Sequence, residues 1–166
     1  MRRIAEAIDY FQDALGRNLS WLTAAMVAAT VVVVTLRYGF GIGAIALQES
    51  VIYMNALVFL AGAAWTLKEN RHVRVDIVYS KLSPRRQQLV NLIGHLALLA
   101  PMCVAVLVWS FDWVLASWRI REGSPEVGGI PAVFLLKTMI LLMPILLLVQ
   151  IVSECIKIGL ALRSDD

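Results

Sequence analysis

Charged residues are scarce in this chain, and long apolar runs take their place. Only 16% of the 166 residues are Asp, Glu, Lys or Arg, 60% are hydrophobic, and the mean hydropathy is +0.75. A soluble globular domain is nearer a quarter charged and half apolar. The apolar residues fall in runs of about twenty, the length that a helix needs to cross about 30 Å of hydrocarbon. The composition excludes an ordinary soluble domain and predicts a single membrane domain over residues 1–166.

The residue types that carry catalysis and metal binding are also few. The chain has two Cys and two His, and Cys103 and Cys155 lie inside apolar runs without metal-ligand spacing. It has no Gly-rich phosphate loop with a Lys, and no nucleophile with a base. We therefore expect no enzymatic activity, no cofactor and no metal site. The basic residues lie beside apolar runs, which favours lipid headgroups over nucleic acid as their partner.

Four apolar segments predict an all-α membrane protein with four transmembrane helices. Their approximate bounds are 20–37, 44–67, 84–118 and 131–158. The third segment is preceded by Ser83 as a predicted N-cap and begins with Pro84 at the first helical position, where a missing N–H costs nothing. At about 1.5 Å per residue, this third helix is long enough to be tilted or to project beyond the bilayer.

The amino-terminal residues 1–17 form a separate pattern. One helical stripe is apolar and consists of Ile4, Ile8, Phe11 and Leu15. This pattern predicts a short amphipathic helix that lies in the membrane interface; the alternative is a solvated amino-terminal extension of the first span. Gly16 offers a hinge between this helix and the first span.

The charge distribution predicts the orientation in the membrane. Six of the fifteen Lys and Arg residues lie in the central segment 68–86, KENRHVRVDIVYSKLSPRR. Outside the spans, eleven Lys and Arg residues lie on the side of this segment and both termini, and three lie on the other side, namely Arg37, Arg119 and Arg121. The positive-inside rule therefore places both termini and the central segment in the cytoplasm.

The order of residues in the central segment goes beyond simple positive charge. Arg85 and Arg86 occupy the first turn of a helix, where the macrodipole disfavours cations, so lipid headgroups or a partner must compensate. Either Arg71 or Arg74 can pair with Asp76 in the preceding stretch. The positive-inside rule therefore explains the charge of this segment but not its order of residues.

Two charged residues lie near the same depth on the outer side. Glu49, beside Gln48, is near the start of the second span, and Lys137 is about two turns inside the fourth. Charges within the membrane cost several kcal/mol and are functional candidates by default. We predict a Glu49–Lys137 pair, with Arg37 as a competing partner for Glu49. A clamp between helices or to a partner subunit is favoured, because both side chains can snorkel to the interface; a proton or substrate site is the alternative.

Two other function classes stay open. A haem-binding anchor subunit of a respiratory enzyme needs paired histidines, but His72 lies in the cytoplasmic segment and His95 about 13 Å into the third span. This mismatch in depth disfavours bis-axial ligation. The other class is a small oligomeric proton-coupled exporter, in which Glu49 would carry the proton.

The order of residues resembles a known family over nearly the whole chain. The most specific match is His72-Val73-Arg74-Val75-Asp76. Weaker matches are Arg37-Tyr38, Gln48-Glu49, Gly62-Ala63-Ala64, Leu82-Ser83-Pro84-Arg85-Arg86 and Ile130-Pro131. In this combination the chain resembles the small membrane subunit of TRAP (tripartite ATP-independent periplasmic) transporters, the DctQ-type permease.

The resemblance implies a non-enzymatic, multi-pass subunit of the bacterial inner membrane. In such transporters a periplasmic substrate-binding protein delivers an organic acid to a large membrane subunit, which moves it inward with sodium in an elevator-like motion. The small subunit is the scaffold and helps to dock the binding protein. Substrate and sodium sites belong to the large subunit. The candidate structural or partner-contact residues here are Arg37, Gln48, Glu49, His72, Arg74, Asp76, Arg85, Arg86, Arg119, Arg121 and Lys137.

Overall fold

The computed structural model describes residues 1–70 and 79–164, and these residues form helices and short connections without a strand. Four helices are long and apolar enough to cross a membrane: α1 (Arg2–Gly39), α2 (Ile45–Lys68), α3 (Pro84–Arg119) and α4 (Val133–Ser164). The predicted fold class, an all-α protein with four membrane-spanning helices, is confirmed.

The helices alternate in direction. The start of α1 contacts the ends of both α2 and α4, because Asp13 bonds to Lys68 and Asp9 bonds to Lys157. At the opposite end, the last turn of α3 meets the first turns of α4 through a hydrogen bond from Trp118 to Thr138. Both chain ends therefore lie at one end of the bundle, the terminal face. Residues 40–44 and 120–132 lie at the other end, the distal face.

Helix α4 is the most enclosed of the four. Of its most apolar 18-residue stretch, 28% is buried inside the chain, against 6% for α1. The central cluster of buried residues draws on all four helices and comprises Leu19, Ala61, Ala64, Leu67, Cys103, Leu146, Leu147 and Ile151. Most of the apolar surface of α1, α2 and α3 thus faces outward, as expected for helices whose surroundings are hydrocarbon or another membrane protein.

Two helices contain a wider, π-helical turn. In α2 it covers Leu57–Ala61, and in α3 it covers Gly94–Leu99. Each extra residue in such a turn shifts the side chains that follow it around the helix axis. Ala61 and His95, one from each turn, are both buried between helices. The wider turns therefore bring small or polar side chains into the bundle.

The prediction of a hinge at Gly16 is wrong. Helix α1 continues without interruption from Arg2 to Gly39, and Gly16 is buried within it. An added Cβ at Gly16 would lie 2.5 Å from Cδ2 and 2.6 Å from Cγ of Trp65 in α2. The glycine is needed because the indole ring of Trp65 packs directly on the backbone of α1. Gly16 therefore allows α1 and α2 to approach closely, and it does not bend α1.

The apolar stripe of residues 1–17 is divided between the bundle and its outer surface. Ile4 and Phe11 are 55% and 51% exposed, whereas Leu15 packs against the central cluster. The buried residues of α1 are Ala5, Gln12, Gly16 and Leu19, which recur at helical spacings of seven, four and three. Small and polar residues therefore form much of the buried face of α1, beside Leu19. The position of the apolar stripe in the membrane interface stays a prediction.

The contact between Gly16 and Trp65 can be tested by a Gly16→Ala substitution. The added methyl group has to displace the indole ring or α1 itself, and such overpacking costs about 1–3 kcal/mol. We expect a lower melting temperature in mild detergent. Gly159→Ala is the matched control, because Gly159 is also inside a helix and an added Cβ there has no neighbour within 4 Å. An unchanged melting temperature for Gly16→Ala would contradict the close contact.

Candidate functional site

The distal face is built around the connection between α3 and α4. Backbone hydrogen bonds fold this connection: Ser124 N donates to Ile130 O at 3.2 Å, and Gly129 N donates to Glu126 O at 3.0 Å. Gly128 has a φ of 83°, a left-handed conformation that glycine adopts without strain. Residues 120–132 are thus a folded loop, which we call the distal loop.

Glu49 of α2 anchors the distal loop. Its Oε2 accepts a hydrogen bond from the backbone N of Ile130 at 2.6 Å, and its Oε1 accepts one from Ser124 Oγ. An added Cβ at Gly129 would lie 2.7 Å from Oε1 of Glu49 and 2.6 Å from Cβ of Ser124, so a larger residue at this position would disturb the hydrogen bond between these two side chains. Both carboxylate oxygens of Glu49 are therefore used to hold the loop against α2.

Lys137 of α4 holds the same loop from the other side. Its Nζ lies 2.5 Å from Oε2 of Glu122 and 4.2 Å from the ring centroid of Trp113, a cation–π distance. The predicted Glu49–Lys137 pair is therefore wrong. The sequence places both charges near the correct end of their helices, but the distal loop supplies a nearer partner to each. Glu49 also does not pair with Arg37, which lies exposed in the last turn of α1.

The charge of Lys137 affects the protonation of its partner. The hydrogen bond from Lys137 lowers the pKa of Glu122 below its usual value, because the ammonium stabilises the carboxylate form. Next to this pair, Trp118 Nε1 donates to Thr138 Oγ1 at 2.8 Å, and its ring meets Phe134 edge to face at 4.7 Å between centroids. These contacts fix the junction between α3 and α4.

The distal loop presents exposed side chains of several kinds. Arg119 lies in the last turn of α3, and Arg121 follows with a φ of 46°. Glu126 is exposed and Val127 is 92% exposed at the tip of the loop. A folded loop that displays two cations, a carboxylate and an apolar tip has the properties of a protein-docking surface.

The terminal face carries a second polar cluster, which the sequence did not predict. Asp9 of α1 accepts hydrogen bonds at Oδ1 from Gln150 at 3.1 Å and from Ser153 at 2.8 Å. Its Oδ2 lies 3.0 Å from the ammonium of Lys157, which also bonds to Glu154. Three residues of α4, at spacings of three and four, thus bond to one carboxylate of α1. The spacing of these α4 residues is the sequence signal for this cluster, but it can be interpreted only once α1 and α4 are known to be neighbours.

One helical turn further along α1, Asp13 makes the equivalent contact with α2. It accepts a hydrogen bond from Trp65 Nε1 at 3.3 Å and is paired with Lys68. Between these two carboxylates, the buried Gln12 donates to the backbone oxygen of Leu146 at 3.4 Å. The amino-terminal part of α1 is therefore bound to α2 and α4 by polar side chains.

The structure separates the remaining predicted residues. Gln48 is exposed in the first turn of α2, and Arg85 and Arg86 are exposed in the first turn of α3 at the terminal face. Only Glu49, Arg119, Arg121 and Lys137 come together, on or under the distal loop. His72, Arg74 and Asp76 lie outside the described residues.

Metal coordination is not suggested by either polar cluster. Across residues 1–70 and 79–164, no group of three or more His, Cys, Asp or Glu side chains is placed to hold a metal ion. The carboxylates of both clusters are instead bonded to amide, hydroxyl and ammonium groups.

Comparisons with known proteins identify relatives by sequence. Residues 26–158 match the family model described as "Tripartite ATP-independent periplasmic transporters, DctQ component". The chain is 27% identical over 131 residues to a protein of Haemophilus influenzae (strain ATCC 51907 / DSM 11121 / KW20 / Rd) named "Putative TRAP transporter small permease protein". The aligned region covers 79% of this chain and 77% of that protein. No solved structure matches the chain significantly.

The role of Glu49 can be tested by a Glu49→Gln substitution. The amide has one acceptor oxygen and no charge, so it cannot accept from both Ser124 and Ile130 as the carboxylate does. Hydrogen bonds to charged groups contribute about 1.5–3 kcal/mol, so amide exchange at Ile130 should become roughly ten- to a hundredfold faster. Hydrogen–deuterium exchange of the distal loop measures this change.

The matched control for Glu49→Gln is Glu126→Gln. Glu126 lies in the same loop and takes part in its hydrogen bonds through the backbone. Equal exchange rates for the two variants would contradict the anchoring role of Glu49.

The pair between Lys137 and Glu122 predicts a pH dependence of stability. Because the pKa of Glu122 is lowered in the folded state, its contribution is present above the unfolded pKa of about 4.3 and is lost as the pH falls through the folded pKa. We expect the melting temperatures of wild type and Lys137→Met to differ at pH 7 and to converge in acid below that range. A Glu122→Gln background should remove this convergence; a difference that persists unchanged into acid would contradict the pairing.

Proposed function

The chain belongs to the DctQ family of tripartite ATP-independent periplasmic transporters, and from this we propose that it is the scaffold subunit of a sodium-coupled uptake system for organic acids. The family is one of transporter permease subunits in the inner membrane, and the chain is a multi-pass protein of that membrane. The family also implies a large membrane subunit as the partner. Sodium, substrate and the moving parts belong, in this proposal, to that large subunit.

The distribution of polar groups supports a scaffold role. In transporters, a substrate site near the middle of the membrane is usually framed by discontinuous helices with free backbone groups. In the part of the chain that the structure describes, the four spans are helical throughout, and the two polar clusters lie at opposite ends. Each cluster joins helices to one another. Such a unit resists deformation, as a stator for a moving neighbour must.

The observation that carries the docking role is the anchored distal loop. By the positive-inside rule the distal face is periplasmic. Glu49 and Lys137 hold the loop at both sides, so Arg119, Arg121 and Val127 are displayed on a preorganised surface. A preorganised surface loses less conformational entropy when a partner binds. We propose that this surface receives the periplasmic binding protein.

The terminal face then lies toward the cytoplasm. Arg86 is exposed there at the start of α3, where the helix dipole disfavours cations. Anionic lipid headgroups or the large subunit would compensate for this charge. We propose that the central segment 68–86, which also contains His72, Arg74 and Asp76, is a brace that faces lipid and the large subunit.

The docking role can be tested by reversing both charges on the distal loop, Arg119→Glu with Arg121→Glu. Charge reversal at the rim of an interface mainly lowers the rate of association. In proteoliposomes that contain both membrane subunits, half-maximal uptake should then need about ten times more binding protein, with similar uptake at saturation. Arg163→Glu makes the same kind of charge change on the terminal face and should have no such effect. Unchanged uptake over all binding-protein concentrations would overturn the docking assignment.

A further inference from the structure

The middle of α2 carries an exposed amide side chain that has no partner within the described chain. Asn55 is about 15 Å from the distal start of α2 and about 20 Å from its terminal end, at 1.5 Å per residue. Its side chain is exposed and makes no hydrogen bond to the residues in 1–70 and 79–164. This depth is near the centre of the hydrocarbon, where lipid offers neither donors nor acceptors.

Three hydroxyl groups on the same side of the molecule are bonded within their own helices. The hydroxyl of Thr30 donates to Met26 O at 2.8 Å, that of Ser20 to Gly16 O at 3.0 Å, and that of Thr66 to Ala63 O at 2.8 Å. Each of these bonds stays within one helix, so the hydroxyls tolerate lipid. An amide has two donors and an acceptor oxygen, and Asn55 makes no corresponding bond. Asn55 is therefore costly on a surface that faces only lipid.

Asn55 lies in a groove between α1 and α2. Two cavities of about 460 Å³ each follow one another along this seam, one beside Gly16 and Gly62 and the other beside Val31 and Asn55. On α1 their lining residues recur at spacings of three and four, so both cavities lie on one face of the helix. We call this face the α1–α2 groove. From Gly16 to Val31 it is about 22 Å long, which corresponds to four turns of a helix.

From these observations we propose that the α1–α2 groove receives a transmembrane helix of the large subunit, with a polar group of that helix bonded to Asn55. This inference rests on the proposed scaffold function and adds the face through which the scaffold is attached. A groove of this length suits a helix, and the partly exposed backbone of Gly62 permits close approach. A lipid acyl chain could fill the groove but could not bond to the amide.

The exposed face of α3 has a different character. In the middle of this face, Leu98, Val104 and Val108 are apolar and at least half exposed, and an exposed carboxylate, that of Asp112, lies one turn beyond Val108 toward the distal face. The surface around Val104 is satisfied by lipid tails alone. The α1–α2 groove therefore contains an amide that needs a hydrogen-bonding partner, whereas the α3 surface around Val104 contains no such group. These two surfaces provide a matched comparison.

The first test compares substitutions on the two faces. Val31 in the groove and Val104 on α3 are 59% and 50% exposed, so a Val→Trp change adds similar bulk at both positions. Val31→Trp should block the helix and strongly reduce co-purification with the large subunit in mild detergent, whereas Val104→Trp should not. Asn55→Leu should weaken association about three- to thirtyfold, the range for one interhelical hydrogen bond in a membrane.

The second test does not depend on how well bulky variants fold. A photoreactive benzoylphenylalanine is placed at position 31 or 104 in the full transporter complex, irradiated, and its adducts are identified by mass. We expect an adduct between this chain and the large subunit from position 31, and lipid adducts from position 104. An adduct of two copies of this chain from position 31 would overturn the proposed occupant, and lipid adducts alone from that position would overturn the docking site.

The experiments distinguish failure of the proposed scaffold function from failure of the groove assignment. If the wild-type chain did not co-purify with the large subunit at all, the proposed function itself would be contradicted. If the wild-type complex formed and the Val31→Trp and Asn55→Leu complexes were equally intact, only the assignment of the α1–α2 groove would fall.

Discussion

The position of Asp9 determines how the terminal end of the bundle is assembled. A carboxylate between helices must be surrounded by donors, because burial without them costs several kcal/mol. Gln150, Ser153 and Lys157 supply these donors, and all three lie on α4. Helix α1 must therefore lie along α4 with its small and polar residues inward. The close packing of Gly16 on Trp65 follows from this placement, and apolar side chains such as Ile4, Phe11 and Val31 are turned outward.

At the distal end, charged side chains between helices also need hydrogen-bonding partners, and different residues supply them. Glu49 and Lys137 are each satisfied by the loop between α3 and α4, so the loop is held to two helices at once. Polar contacts at both ends and apolar packing between them give a unit that is stiff along its length. In the middle of α2, the exposed amide of Asn55 makes no such bond within residues 1–70 and 79–164. This is the observation on which the proposed contact between the α1–α2 groove and another helix rests.

Sequence reasoning predicted the four spans and the depth of the charged residues, but it predicted the wrong partners. Glu49 and Lys137 were expected to pair because they share a depth, and depth can be counted from the ends of apolar runs. Their true partners, Ser124, Ile130 and Glu122, lie in a loop whose path depends on backbone hydrogen bonds and on a left-handed glycine. Gly16 was read as a hinge because a glycine in isolation suggests flexibility. Only the position of Trp65 reveals that it provides space.

The sequence by itself determined that this chain forms four membrane helices. In hydrocarbon every backbone N–H and C=O has to be bonded within its own segment, so runs of about twenty apolar residues leave little choice but helix. The tertiary structure decided which polar side chains meet, because such contacts join residues far apart in the chain. Glu49 and Ser124 are 75 residues apart, and Asp9 and Lys157 are 148 apart. Local composition determines which segments form helices. The packing of α1 and the distal loop against α2 and α4 determines which polar side chains form pairs.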